Sequence, residues 1–310
     1  MTTPVAHPNP VSASPSGRSV SAATILHSAR PLVCGILNVT PDSFSDGGRF
    51  FDHDRAVAHG VDLACQGADL IDIGGESTRP GAQPLTVDEE LDRVVPVVER
   101  LARVTGVPVS VDTSRPEVMR AAVRAGASMI NDVRALRVPG ALDAAAELRV
   151  PVCLMHMQGD PATMQRSPRY GDVVAEVRSF LAERMSAAEA AGVSRDLMAV
   201  DPGFGFGKTL AHNVTLLAEL GQFVTLGARL MVGLSRKGMI GAITGRPVEH
   251  RLAGSISAAV LAAQRGAHVL RVHDVGATRD ALAVWQAVQE GDTQRRAAPQ
   301  PFGSQRFDDD

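Results

Sequence analysis

Leu32-Val33-Cys34-Gly35-Ile36-Leu37-Asn38-Val39 is an almost unbroken apolar run that reaches a polar side chain near its end, and the chain repeats that pattern. Near-continuous apolar content over so few residues marks a strand covered on both faces. Seven more such runs follow at 69–74, 108–112, 128–131, 152–155, 198–201, 230–233 and 269–272. Longer stretches with helical apolar spacing alternate with them, at 55–66, 87–103, 116–125, 141–148, 173–190, 213–220, 251–265 and 278–289. Pro116 falls where a first-turn proline is tolerated, and Gly126, Gly192 and Gly266 fall where helices close. Eight strands, each followed by a helix, is the count of a closed (β/α)8 TIM barrel, an α/β fold. An open doubly wound sheet could hold as many strands, but its polar residues would gather at one crevice.

Here polar residues follow every strand. The first reaches Asn38 and the second runs into Glu76-Ser77-Thr78-Arg79. Asp112, Asn131-Asp132, Met155-His156 and Asp201 mark the next four; Ser235-Arg236-Lys237 follow the seventh, and the eighth carries Arg271 and His273. In a barrel all of these meet on the C-terminal face, where such folds keep their chemistry. Singly, Asp112 or Asp132 could be no more than a helix cap. The loops after strands seven and eight supply Arg236, Lys237, Arg271 and His273, which points to a phosphate or diphosphate, with a salt-bridged surface cluster as the competing reading. Two carboxylates and an amide, Asp112, Asp201 and Asn131, need partners deep in a barrel mouth. A planar heterocycle with ring N–H, amino and carbonyl groups would satisfy them, with Lys237 balancing a carboxylate. Gly203 to Thr209 ends like a phosphate-binding P-loop, yet Pro202 stands where its first glycine belongs and removes a backbone donor.

The 310 residues are 45% apolar and 4% aromatic, which fits one large core. A Pro/Ser/Ala-rich tail is expected over 1–18, the barrel domain over 19–290 and a polar flexible tail over 291–310. A short segment near 19–27 would cap the barrel floor. Lys plus Arg number 31 against 34 Asp plus Glu, and the net charge of −3 gives no case for nucleic acid or a membrane surface. No run approaches the ~18 apolar residues of a spanning helix, and the N-terminal region lacks the apolar core of a secretory signal. Cys34, Cys65 and Cys153 are widely spaced among small or apolar residues, so buried, unpaired thiols and a cytoplasmic setting are expected.

Longer motifs then carry a family resemblance. Gly35-Ile36-Leu37-Asn38-Val39-Thr40-Pro41-Asp42-Ser43-Phe44-Ser45-Asp46-Gly47-Gly48 resembles the first signature of dihydropteroate synthases. Asp72-Ile73-Gly74-Gly75-Glu76-Ser77-Thr78-Arg79-Pro80-Gly81 resembles the second. The likeness continues in order through Val111-Asp112-Thr113, Ile130-Asn131-Asp132, Leu154-Met155-His156-Met157, residues 201–208, Ser235-Arg236-Lys237 and residues 271–275, covering about 19–290.

The resemblance implies condensation of 6-hydroxymethyl-7,8-dihydropterin diphosphate with p-aminobenzoate. It implies that Asp112, Asn131, Asp201 and Lys237 hold the pterin, with Met155, Ile36, Val133, Phe206 and Gly205 lining it. Asn38, Thr78, Arg271 and His273 correspond to the diphosphate site, and Phe44, Pro80, Thr78, Arg79, Ser235 and Lys237 to the p-aminobenzoate pocket. Asn38, Lys237, Arg271 and His273 are the catalytic set. Mg2+ would bind the diphosphate and Asn38, with Asp42 as a further contact. Diphosphate would leave first, and the aniline nitrogen would then attack a resonance-stabilised pterin cation. The loops at 40–50 and 77–84 would close over the site. Sulfonamides would compete with p-aminobenzoate, and the chain would form a homodimer through helices of the last βα units. Gly238 departs from the family, which commonly has a hydroxyl residue there. The competing functional readings are a pterin-binding methyltransferase domain, though no cobalamin module is read in the sequence, and a non-catalytic barrel paralogue.

Overall fold

The eight apolar runs form eight parallel strands, and each finds a neighbour on both sides. A computed structural model describes residues 26–39, 49–76, 85–160 and 163–297. The strands are β1 (Leu32–Asn38), β2 (Leu70–Gly74), β3 (Val109–Asp112), β4 (Met129–Asp132), β5 (Val152–Met155), β6 (Met198–Asp201), β7 (Arg229–Val232) and β8 (Val269–Val272). They pair in chain order, and β8 returns to β1 through Leu32↔Val269 and Gly35↔Val272, closing the barrel.

The main helices match the expected positions: α1 (Arg49–Cys65), α2 (Val87–Val104), α3 (Pro116–Arg124), α4 (Ala141–Leu148) and α5 (Val173–Ala190). There follow α6 (Leu210–Ala218), α7 (Gly221–Val224), α8 (Gly238–Thr244), α9 (Leu252–Gln264) and α10 (Val275–Ala297). The short α7 and α8 were not expected, because four and seven residues show too little periodicity to read. Helix α6 starts before the expected Asn213 because Thr209 caps it, its side chain accepting from His212 N at 3.2 Å. The closing helix runs to Ala297, past the point where a polar tail was expected to begin. One glycine at 291 costs a helix only about 1 kcal/mol, which does not suffice to end it.

Alternate strand residues face the lumen. Its lower layer is an apolar floor of Leu32, Cys34, Leu70, Met129, Cys153, Ala199, Met231 and Val269. Leu26, 2% exposed, packs into this floor from below, as expected of a capping segment. Burying a leucine this fully contributes about 2 kcal/mol. The outward-facing strand residues form a second, larger core with the helices, including Leu37, Ile73, Val111, Ile130, Leu154 and Leu230. Cys34 and Cys153 are buried, but Cys65 is exposed at the end of α1, against the expectation for all three. The stretches 1–25 and 298–310, the loops at 40–48 and 77–84, and the predicted site residues Asp42, Phe44, Thr78, Arg79 and Pro80 lie outside the described residues.

Candidate active site

Above the apolar floor the lumen turns polar, and the reason is register. Pairing sets Asp72 beside Ser110, Gly74 beside Asp112, Asp112 beside Asn131 and Met155 beside Asp201. Across this ring Arg271 of β8 joins two strands: its Nε donates to Asp72 Oδ2 at 2.6 Å and its Nη2 to Asp112 Oδ2 at 2.9 Å. Asn131 Nδ2 also donates to Asp72 Oδ2, at 2.9 Å. Asp72 is fully buried, and the sequence motifs alone do not mark it as a site residue. Its signal was a lone carboxylate within Leu70-Ile71-Asp72-Ile73, since a charge in a buried strand must be paired.

Burial governs the protonation of the ring. It pushes the Asp112 carboxyl up to about 7, against the Arg271 guanidinium and with help from the Asp72 charge. It pushes Asp201 up to about 6, opposed by the hydrogen bond that Gly203 N donates to Asp201 Oδ1 at 2.7 Å. Burial pulls Lys237 down to about 8, with Arg271 adding and Asp201 and Asp112 opposing. Burial also opposes the charge on Arg271, but Asp72 and Asp112 outweigh it and hold the guanidinium more firmly protonated than usual. Acids and a base shifted toward neutrality and facing one another are a frequent mark of a functional site.

One side of this polar ring carries an apolar wall. Val133, Met155, Met157 and Met164 cluster with Phe206, and Lys237 Nζ stands 4.3 Å from the centre of the Phe206 ring. Gly205 lies under the Lys237 stem, where a Cβ would come within 3.4 Å of Cδ. Ile36 is buried on β1 beside Asp72. The structure therefore brings Ile36, Asp112, Asn131, Val133, Met155, Asp201, Gly205, Phe206, Lys237 and Arg271 to one mouth. Asn38 ends β1 on the same rim. A slot with hydrogen-bonding groups at one edge and flat apolar contacts beside it suits a planar, polar-edged ring.

The expected anion cluster is only partly there. Arg236 turns away on a left-handed backbone (φ 57°) and makes a two-point ion pair with Asp274, at 2.6 and 3.1 Å. Arg271 is engaged by its two carboxylates. His273 Nδ1 lies 3.0 Å from Ser235 Oγ, which also accepts from His273 N at 3.2 Å. Burial pulls this histidine down to about 4, with Arg236 and Arg271 adding, so it is neutral at pH 7. Lys237 is thus the cation of the four left without a carboxylate within ion-pair distance among the described residues.

Asp132 fastens the turn that follows β4, but it does not cap the next helix, whose N-cap is Gly140 without a side-chain bond. It accepts from Ser114 Oγ, from Arg134 N at 2.8 Å and from Leu136 N at 2.7 Å. The Gly-Lys-Thr turn is no P-loop either. Gly203 N is taken by Asp201, Gly205 N by Asn213 Oδ1 at 2.8 Å and Phe206 N by Gly203 O at 3.1 Å, and Lys208 points inward. Glycine is required at 203 and 207, with φ of 70° and 61°: a Cβ would lie 1.9 Å from His156 O and 2.4 Å from Gln158 O.

The model of the pterin binding enzyme family matches residues 34–273. The dihydropteroate synthase of Escherichia coli K12 is 51% identical over 273 residues, covering 88% of this chain and 97% of that protein. Dihydropteroate synthase from Xanthomonas albilineans, solved with 4-aminobenzoic acid, is 63% identical with a TM-score of 0.80, and this match covers 84% of this chain and 94% of that one. The same enzyme with 7,8-dihydropteroate gives 60%, a TM-score of 0.78 and the same coverage. The Yersinia pestis enzyme in a sulfonamide complex is 50% identical with a TM-score of 0.80, covering 84% and 95%. On this likeness and on the ring of strand-end residues that accompanies it, the chain belongs to the pterin-binding enzyme family and, within it, to the dihydropteroate synthases.

Proposed function

We propose that this chain joins 6-hydroxymethyl-7,8-dihydropterin diphosphate to p-aminobenzoate, giving 7,8-dihydropteroate and diphosphate. The observation that carries the proposal is the slot in which Asp112, Asn131 and Asp201 line the polar ring and Lys237, felt by both carboxylates, lies over the Phe206 ring. In it the carboxylates and the amide receive the ring N–H and amino donors, and Lys237 donates to the carbonyl side of the pterin edge. Met155, Val133, Ile36, Phe206 and Gly205 pack its faces, and the Arg271 guanidinium lies against it. The bond from the exocyclic methylene to the diphosphate oxygen breaks, the positive charge spreads into the pterin, and the aniline nitrogen forms the new C–N bond and loses a proton. Holding the two reactants in line accounts for most of the acceleration.

Asn38, His273 and Arg271 line the end where diphosphate departs. Mg2+ suits that end, since a hard cation takes oxygen ligands and substrate phosphates, and Asn38 brings an amide oxygen to the rim. Among the described residues no group of three or more His, Cys, Asp or Glu could hold a metal, so the substrate's own oxygens would complete the coordination. Bound there, Mg2+ would offset the charge gathering on the leaving group. Ser235 and Lys237 form the described part of the p-aminobenzoate pocket, in which sulfonamides would compete. A second copy would dock on α6, α8 and α9, where Leu210, Val214, Ile243 and Leu252 are exposed apolar side chains. No helix among the described residues is long and apolar enough to cross a membrane, and the cytoplasm is the proposed setting.

The test is steady-state formation of dihydropteroate with and without Mg2+, for the unaltered chain and Lys237→Ala. Mg2+-dependent product that collapses in the variant supports both the reaction and the slot. Folded, Mg2+-supplied protein that makes no product from these substrates would refute the proposal and favour a methylfolate-binding relative.

A further inference from the structure

The turn at 203–208 contains a buried cation for which the proposed reaction has no use. Lys208 is 3% exposed. Its Nζ lies 2.9 Å from Gly203 O, 3.0 Å from Phe206 O and 2.9 Å from His156 Nδ1, with His156 O more distant at 3.5 Å. An ammonium has three N–H donors and no lone pair, so the three near acceptors satisfy it in full. They are two carbonyls and an imidazole nitrogen, and Asp201 acts on the charge only through space.

His156 must then offer a lone pair at Nδ1 and keep its proton on Nε2. Burial, with Lys208 adding, pulls this imidazole down to about 3, so it is neutral wherever the protein is folded at ordinary pH. Burial also draws Lys208 down to about 7, while only its protonated form can fill all three acceptors. A buried cation gives little net stability over an apolar side chain of similar size. Its use must therefore lie in what it holds. Gly203 O and Phe206 O come from the two ends of one turn, and His156 comes from the exit of β5, so one ammonium ties the β6 turn both to itself and to the neighbouring strand end.

We propose that Lys208 is a positioning residue for the pterin slot: by gathering Gly203 O, Phe206 O and His156 Nδ1, it presets the Phe206 ring beneath Lys237 before substrate arrives. The Gly-Lys-Thr sequence thus organises its own backbone, not a phosphate. This role rests on the slot being a pterin site.

Titration calorimetry with 6-hydroxymethyl-7,8-dihydropterin diphosphate tests it, using Lys208→Met, Phe206→Leu and the double variant. Methionine keeps most of the stem and removes the ammonium. Alone, Lys208→Met should weaken pterin binding about tenfold; in the Phe206→Leu background the further loss should stay under about threefold, because the ring it positions is gone. The KM for p-aminobenzoate at saturating pterin should not change, whereas general loosening of the barrel would raise it too. Equal losses in both backgrounds, or no loss, would overturn the role. Should Lys208→Met not fold, His156→Phe keeps a ring against Phe180, whose centroid is 4.9 Å away, and removes one acceptor. The same comparison is then made, with a smaller expected loss. Unaltered protein that binds no pterin sinks the functional reading and this role with it; unaltered protein that binds, with additive losses in the variants, sinks only the role of Lys208.

Discussion

Replacing Asp72 with alanine should do two separable things, and the geometry fixes the sign of each. Asp72 Oδ2 accepts from Arg271 Nε at 2.6 Å and Asn131 Nδ2 at 2.9 Å, and the carboxylate is fully buried. Removing it leaves an amide donor without its acceptor and a mostly buried guanidinium with one carboxylate in place of two. Breaking a buried pair typically costs 3–5 kcal/mol. Because Asp112 still holds Arg271, the lower end, about 3 kcal/mol, applies here. For a domain of this size that is a fall in Tm of roughly 5–10 °C by scanning calorimetry. The second effect is on Asp112. The Asp72 charge raises its pKa and Arg271 lowers it, so losing the one and freeing the other both move Asp112 down from about 7. Pterin binding by calorimetry as a function of pH should then show its acid limb shifted to lower pH in Asp72→Ala. A limb that stays in place, or moves up, refutes the claim that the two carboxylates are coupled through Arg271.

Three further outcomes follow from the same geometry. Asp112 and Asp201 are raised toward 7 and 6, so their ionised, accepting forms grow in as pH rises through that range; Lys237, lowered to about 8, loses its donor proton above it. The pH profile of kcat/KM for the pterin diphosphate should be bell-shaped, with limbs belonging to the cluster and not to single residues; a flat profile from pH 5 to 9 counts against the slot. Arg236→Ala should change the KM for the pterin diphosphate less than about threefold, because its guanidinium is occupied by Asp274 and the interaction lost is a partly exposed ion pair; a tenfold rise would restore Arg236 to the anion site. Gly238 opens α8 with nothing within 4 Å of a built Cβ, so Gly238→Ser should shift stability by less than about 0.5 kcal/mol while lowering the KM for p-aminobenzoate; a clear drop in Tm would show that the space is not free.

The barrel could be read from the sequence because its signal is local. Each strand is a short apolar run, each helix has its own period, and five strand and helix spans agree with the structure residue for residue: 141–148, 152–155, 173–190, 198–201 and 269–272. The mouth was legible for a different reason. A polar residue at the end of a buried strand has few places to go but the rim, and so Asp112, Asn131, Asp201, Lys237 and Arg271 meet as expected. Partnerships between distant segments were not legible. Nothing near Arg236 in sequence shows that its backbone turns left-handed toward Asp274, 38 residues on. Nor does Glu90, fully buried on α2, announce the ion pair at 3.2 Å with Arg115 across to α3.

Asp72 lies between these cases, and the register shows how it could have been found. Counting back by twos from the rim gives the lumen-facing positions: Asn38, Ile36 and Cys34 on β1; Asp112 and Ser110 on β3; Asn131 and Met129 on β4; Asp201 and Ala199 on β6. On each strand the side chains grade from polar at the mouth to small or apolar at the floor. The same count on β2 gives Gly74, Asp72 and Leu70, placing a carboxylate one layer below the rim and on the lumen side. A charge that deep, inside a closed barrel, requires a cation from another strand, and Arg271 is the one arginine among the eight strands that counts back to the same depth. Strand parity, applied from the mouth downward, therefore predicts the Asp72–Arg271 pair, which residue type and motif order alone left unread.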